Sequence, residues 1–175
     1  MRYDLNLPLN RDMIKDLVVG DEVYLNGKLL VGRDQVHLRL TTELERDGKM
    51  PVSLIGETIF YMGPAPAPQG FVIGSCGPTT SARMDPFAPT LMREGLIAMI
   101  GKGPRSESVR NSLIDHGCVY FTAFGGCGAL YAQCVRSVRV IAYEDLGPEA
   151  LYEMVVEDFP VIVAMDAFGA SIYDR

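Results

Sequence analysis

Between Asp85 and Asp166 short apolar runs and helix-like stretches take turns, and this alternation restricts the fold more than any single motif. "LIAMI", "VYFTAF", "VRVIAYE" and "PVIVAMD" read as strands. "DPFAPTLMREG", "SESVRNSLIDHG", "GALYAQCVR" and "GPEALYEMVV" read as the helices among them. Short continuous apolar strands need cover on both faces, and intervening helices supply it. The pattern therefore predicts a parallel or mixed sheet flanked by helices. Asp85 is the expected cap of the first of these helices, with Pro86 at its first position, where a missing N–H costs nothing.

The part before Gly77 reads mostly as strand. Asn26-Gly27, between the apolar runs of "EVYLNGKLLV", is a strong hairpin signal. "GRDQVHLRLTTELERDG" predicts a helix capped by Asp34 and ended by Gly48, with Val36, Leu40 and Leu44 on one stripe. "TIFYMG" and "GFVIGSCG" read as strands, and "PAPAPQG" between them as a surface connection too rich in proline to pair. The expectation is thus an α/β chain, β-rich first and alternating β/α afterwards, without internal repeats. Its 175 residues suit a single domain spanning positions 1–175.

Charge and cysteine content narrow the function. With 16 basic and 22 acidic residues the net charge is −6, which argues against a nucleic-acid surface but leaves room for a few cations in one pocket. "MRYDLNLPLN" lacks the apolar core of a signal peptide, and no apolar run approaches the ~20 residues of a membrane span. Cys76, Cys118, Cys127 and Cys134 form no C-x-x-C pair. They read as reduced, mostly buried thiols of a cytoplasmic protein.

Ligands of α/β sheets collect at loops beyond the strands' C-terminal ends. Three such loops stand out: Pro78-Thr79-Thr80-Ser81-Ala82-Arg83, Gly101-Lys102-Gly103-Pro104-Arg105-Ser106 and Gly125-Gly126-Cys127-Gly128. Two carry cations and all three lead into helix N-termini, a combination that suits an anion. A phosphate-binding P-loop does not fit, because five residues separate Gly95 from Gly101 and Gly103 follows Lys102. The dinucleotide fingerprint lacks its third glycine. Carboxylates remain, since arginine offers a carboxylate a planar fork and lysine a point charge. Each feature is also compatible with a plainer role: a solvated loop cation, turn chemistry for Thr79 to Ser81, close packing at the glycines, an exposed helix position for His37.

Five segments together look like one family. "VYLNGKLLVGRDQVHLRL", "GPTTSARMDPF", "MIGKGPRS", "AYEDLGPEAL" and "VEDFPVIVAMDAFGASIY" run in order across nearly the whole chain. They resemble the C-terminal domain, or β subunit, of class I fumarate hydratases and the related L-tartrate dehydratases. The resemblance implies a swivelling β/β/α domain and a partner α subunit that carries a [4Fe-4S] cluster, with no cofactor bound by this chain. The implied reaction is the reversible hydration of fumarate to L-malate, the cluster serving as Lewis acid. Residue by residue, Arg33 and Arg83 resemble carboxylate-binding arginines and Lys102 a substrate-binding lysine. Thr79 resembles a proton-transferring threonine beside a carboxylate of the other subunit, and His37 a residue behind these contacts. Arg105 is expected to matter less. A tartrate or methylated-dicarboxylate hydratase, and a non-catalytic dicarboxylate-binding domain, remain as alternatives.

Overall fold

The computed structural model describes residues 1–174. Its strands and helices are β1 (Arg2–Asn6), α1 (Arg11–Ile14), β2 (Glu22–Val31), α2 (Asp34–Asp47), β3 (Thr58–Phe60), α3 (Ala88–Arg93), β4 (Ala98–Gly101), α4 (Glu107–His116), β5 (Val119–Thr122), α5 (Gly128–Gln133), β6 (Val135–Ala142) and β7 (Leu151–Met165). Two 3-10 segments, Ser81–Met84 and Glu144–Glu149, precede α3 and β7.

The sheet is mixed, as the alternation predicts, and it closes. β2, β3, β4 and β5 are parallel neighbours. β7 runs antiparallel to β5 on one side and to β2 on the other, so five strands form a small barrel. β1 extends the sheet beside the first half of β2, and β6 beside the first half of β7. Alternate residues face two separate cores. Val23, Leu29, Phe60, Ile100, Phe121 and Val163 fill the barrel, where Phe159 stacks edge-on against Phe60 with ring centroids 5.4 Å apart. Ile59, Tyr61, Met99 and Tyr120, one step out of phase, pack outward against Val36 and Leu40 of α2, Leu91 and Met92 of α3 and Leu113 of α4. Each such fully buried aliphatic side chain contributes roughly 1.5–3 kcal/mol of apolar transfer.

Helix α2 ends as expected at Gly48, whose φ is 69°. Its cap position is Arg33, and Asp34 is already the first helical residue. Asp85 likewise does not cap α3. It closes the 3-10 turn, Phe87 precedes α3, and Pro89, not Pro86, occupies the first turn proper.

Three further expectations give way to sheet closure. Asn26-Gly27 is no hairpin: β2 continues through it, and the register with β7 shifts there, with Leu25 opposite Phe159 and Gly27 opposite Val156. β7 thus carries the extra residue of a bulge at Glu157-Asp158, where Asp158 has a φ of 50°, and Gly27 (φ 116°) lies opposite it. "GFVIGSCG" is not a strand. Both edges of β3 are taken by β2 and β4, leaving that segment no partner, and Phe71 and Val72 stay exposed. "GPEALYEMVV" is not a helix. Gly147 breaks helical geometry, and from Leu151 the chain is β7, hydrogen-bonded on both edges to β2 and β6.

Candidate functional site

Because β2 to β5 are parallel, their C-terminal ends and following loops share one rim of the barrel. Arg33 lies two residues beyond β2. After β3 the chain passes through the proline-rich loop and returns as Thr79–Ser81 to the strand ends. The Thr79 N–H donates to the Tyr61 carbonyl at 2.7 Å, and the Ser81 N–H donates to the Lys102 carbonyl at 3.0 Å. Thr80 and Lys102 form a parallel bridge. The segment from Thr79 to Ser81 thus ties the end of β3 to the end of β4. It brings Thr79, Arg83 and Lys102, all far apart in sequence from Arg33, to the rim that Arg33 occupies.

The cations differ in setting. Lys102 is exposed. Arg83 is also exposed, at 51% of its side chain, and donates to Asp34 at 2.9 Å, which links the 3-10 turn to the start of α2. Arg33 is more enclosed: its Nε donates to Glu149 at 3.1 Å, and its guanidinium lies against Gly63, where a Cβ would come within 2.8 Å of Cζ. Thr79 is half-buried. His37 is not an exposed helix residue. It is fully buried behind Arg33, with Nδ1 2.7 Å from the Arg33 carbonyl oxygen and Nε2 without a partner among the described residues. A carbonyl only accepts, so Nδ1 carries the hydrogen in that contact. Burial holds the imidazole near a pKa of about 4, well below its ordinary 6.5, and the nearby Arg105 charge adds to the effect.

Beneath this rim lies a layer the sequence patterns did not reveal. The side chain of Arg105 is completely buried. Its Nε donates to Asp85 at 2.6 Å, and its guanidinium lies 4.8 Å from the Tyr120 ring centroid and 5.3 Å from that of Tyr61. The second Asp85 oxygen accepts the Ser106 N–H at 2.6 Å. Arg105 is therefore a buried tie between the two cation-bearing loops. The signal was present in Asp85, which as a misread helix cap was an acid in want of a partner.

Cys76, Cys127 and Cys134 border the barrel core, and Cys118 lies in the outer core. Cys76 and Cys118 donate to the carbonyls of Gly74 and Leu96, and burial pushes their thiols up to about 11 and about 12. Among the described residues no three histidine, cysteine or carboxylate side chains gather as a metal site. Nor is any described helix long and apolar enough to cross a membrane.

Comparison with known proteins gives a consistent answer. A chain named "Putative L(+)-tartrate dehydratase subunit beta", from Methanocaldococcus jannaschii, is 40% identical over 181 residues, covering 100% of this chain and 92% of that relative. The aerobic class I fumarate hydratases of Escherichia coli and Salmonella typhimurium are each 34% identical over 179 residues. This chain spans only about a third of those fumarate hydratases, 33% and 31% of their lengths. A sequence model described as "Fumarase C-terminus" matches residues 1–175, and the chain belongs to the fumarase C-terminal family.

Proposed function

We propose that this chain is the β subunit of a two-subunit, [4Fe-4S]-dependent hydro-lyase that interconverts fumarate and L-malate. In this reading it forms one swivelling β/β/α domain, and the cluster belongs to a partner α subunit. The observation that carries the reading is the rim itself: loops after three neighbouring parallel strands deliver Arg33, Thr79, Arg83 and Lys102 to one end of the barrel.

A dicarboxylate presents two anions a few ångströms apart. Arg83 and Lys102 take them readily, because the Arg83–Asp34 pair is exposed and worth at most about 1 kcal/mol, so a substrate carboxylate displaces Asp34 at little cost. Arg33 adds a third cation, oriented by Gly63 and Glu149. In dehydration the C–H proton leaves one carbon and the hydroxyl leaves its neighbour, giving the alkene and water. Thr79 passes that proton to a carboxylate of the partner, since a neutral hydroxyl is too weak a base alone. Thr79→Val keeps the shape and removes the oxygen. Turnover then falls ~10²-fold or more, with the malate KM less affected. Turnover within about twofold of wild type would remove Thr79 from the chemistry.

Tartrate is the second reading, favoured by the identity to the Methanocaldococcus chain, whose length this one nearly matches. Anaerobic assays of the chain with its partner on L-malate, fumarate, L(+)-tartrate and a methylated malate decide by kcat/KM. Binding of dicarboxylates with no turnover on any of them would mark a binding domain instead.

A further inference from the structure

Resting on the functional reading above, we infer that Ser81 is a positioning residue for Lys102, and that the Tyr120 hydroxyl locks Ser81 in that role. The argument is one of hydrogen-bond direction. The Lys102 N–H donates to Ser81 Oγ at 3.0 Å. Ser81 Oγ lies 2.8 Å from Tyr120 Oη, which in turn lies 2.9 Å from the Gly103 carbonyl oxygen. A backbone N–H can only donate and a carbonyl can only accept. The single Tyr120 hydrogen is therefore committed to Gly103, and the single Ser81 hydrogen to Tyr120. The chain reads Lys102 N–H to Ser81 O–H to Tyr120 O–H to Gly103 C=O, with no freedom to reverse.

Together with the Ser81 N–H on the Lys102 carbonyl, this satisfies both backbone groups of Lys102 from one residue. It also fixes Lys102 against the segment carrying Thr79 and Arg83. Both hydroxyl-bearing residues are fully buried, so neither exchanges these bonds for water. Burial pushes the Tyr120 phenol well up, which keeps the hydrogen it donates. The clamp also accounts for Gly101. A Cβ there would fall 1.9 Å from Ser81 Oγ, so the glycine before Lys102 is a space requirement and not part of a phosphate loop.

The test is kinetic and uses the complex with its cluster-bearing partner. Ser81→Ala and Tyr120→Phe each delete an oxygen and keep the packing. Ser81→Ala lowers kcat/KM for malate roughly 10- to 100-fold, the scale of a misplaced contact, and Tyr120→Phe less. The discriminating readout is a double-mutant cycle. If Ser81 acts through Lys102, then in the Lys102→Ala background Ser81→Ala costs little more, within about twofold. Equal losses in both backgrounds indicate a merely structural role and overturn the inference. Should Ser81→Ala fail to fold, the same cycle with Tyr120→Phe decides. If Lys102→Ala is impaired but Ser81→Ala and Tyr120→Phe remain within about twofold of wild type, the inference fails alone. Unchanged activity of Lys102→Ala removes the functional reading and the inference with it.

Discussion

Arg83 and Arg105 stand 22 positions apart, one in each of the two cation-bearing loops, yet the fold gives them opposite work. Arg83 is half-exposed and its Asp34 partner is exchangeable, whereas Arg105 is sealed under two tyrosines with Asp85. Arg83→Ala is therefore expected to lower kcat/KM by about 30- to 1,000-fold, the ~2–4 kcal/mol of a lost charge-assisted contact, while shifting unfolding free energy by no more than about 1 kcal/mol. Arg105→Met leaves the Asp85 carboxylate buried without its cation and should cost roughly 3–5 kcal/mol in urea denaturation. A fully stable Arg105→Met would show that the buried pair does not organise the rim. His37 adds a pH dependence. Its folded pKa of about 4 lies below the ordinary 6.5, so between those values the unfolded chain binds a proton that the folded chain refuses. Stability accordingly falls as pH drops from about 6.5 towards 4, by up to about 3 kcal/mol from this group. Urea midpoints across that window should fall more steeply for wild type than for His37→Gln, and parallel curves would place the acid sensitivity elsewhere. Exposed Arg83 was legible from its loop. The burial of Arg105 and His37 was not, because it depends on Tyr61 and Tyr120, which looked like ordinary strand residues.

Local signals were read correctly at the elements more often than their use was. Asn26-Gly27 announces a backbone that needs positive φ, and Gly27 has it at 116°, but inside a strand that continues, opposite the bulge that β7 makes between Val156 and Phe159. The bulge has a purpose. It lies where β7 ends its pairing with β6 at Val156 and approaches β5 at Ile162, the bend by which one long strand closes the barrel. A side chain at Gly27 would be strained by φ and would meet the Leu7 carbonyl at 3.1 Å. Gly27→Ala is expected to destabilise by more than about 1 kcal/mol, lowering the denaturation midpoint while kcat per folded molecule stays at the wild-type value. An unchanged midpoint would mean that the position facing the bulge tolerates an ordinary residue. Leu151 to Val156 illustrates the opposite error. Its apolar spacing fits a helix as well as a strand, and only partners on both edges, β2 and β6, decide for strand.

At the scale of the whole molecule, closure leaves two open edges, on β1 and β6. Arg2 and Asp4 stand on the first and Arg136 and Arg139 on the second, charges that discourage further strand pairing. The barrel core and the outer helix-covered core are both formed by this chain's own residues. The separately expressed chain is therefore expected to unfold in one cooperative transition. In the proposed reading the chemistry, unlike the fold, draws on a partner. A threonine hydroxyl such as that of Thr79 is too weak a base alone, so the proposed proton transfer calls for a carboxylate from the partner. Relatives three times as long carry the additional polypeptide in one chain. The expected outcome is a folded but inactive single chain, colourless when purified, that gains hydratase turnover on anaerobic reconstitution with an iron–sulfur partner. Turnover by the rigorously purified chain, or stoichiometric iron on it, would overturn the division of labour. Turnover that appears with the partner and is lost in the Arg83→Ala complex would place the dicarboxylate contacts on this chain, because the cluster and the base would then both be present and only the rim changed.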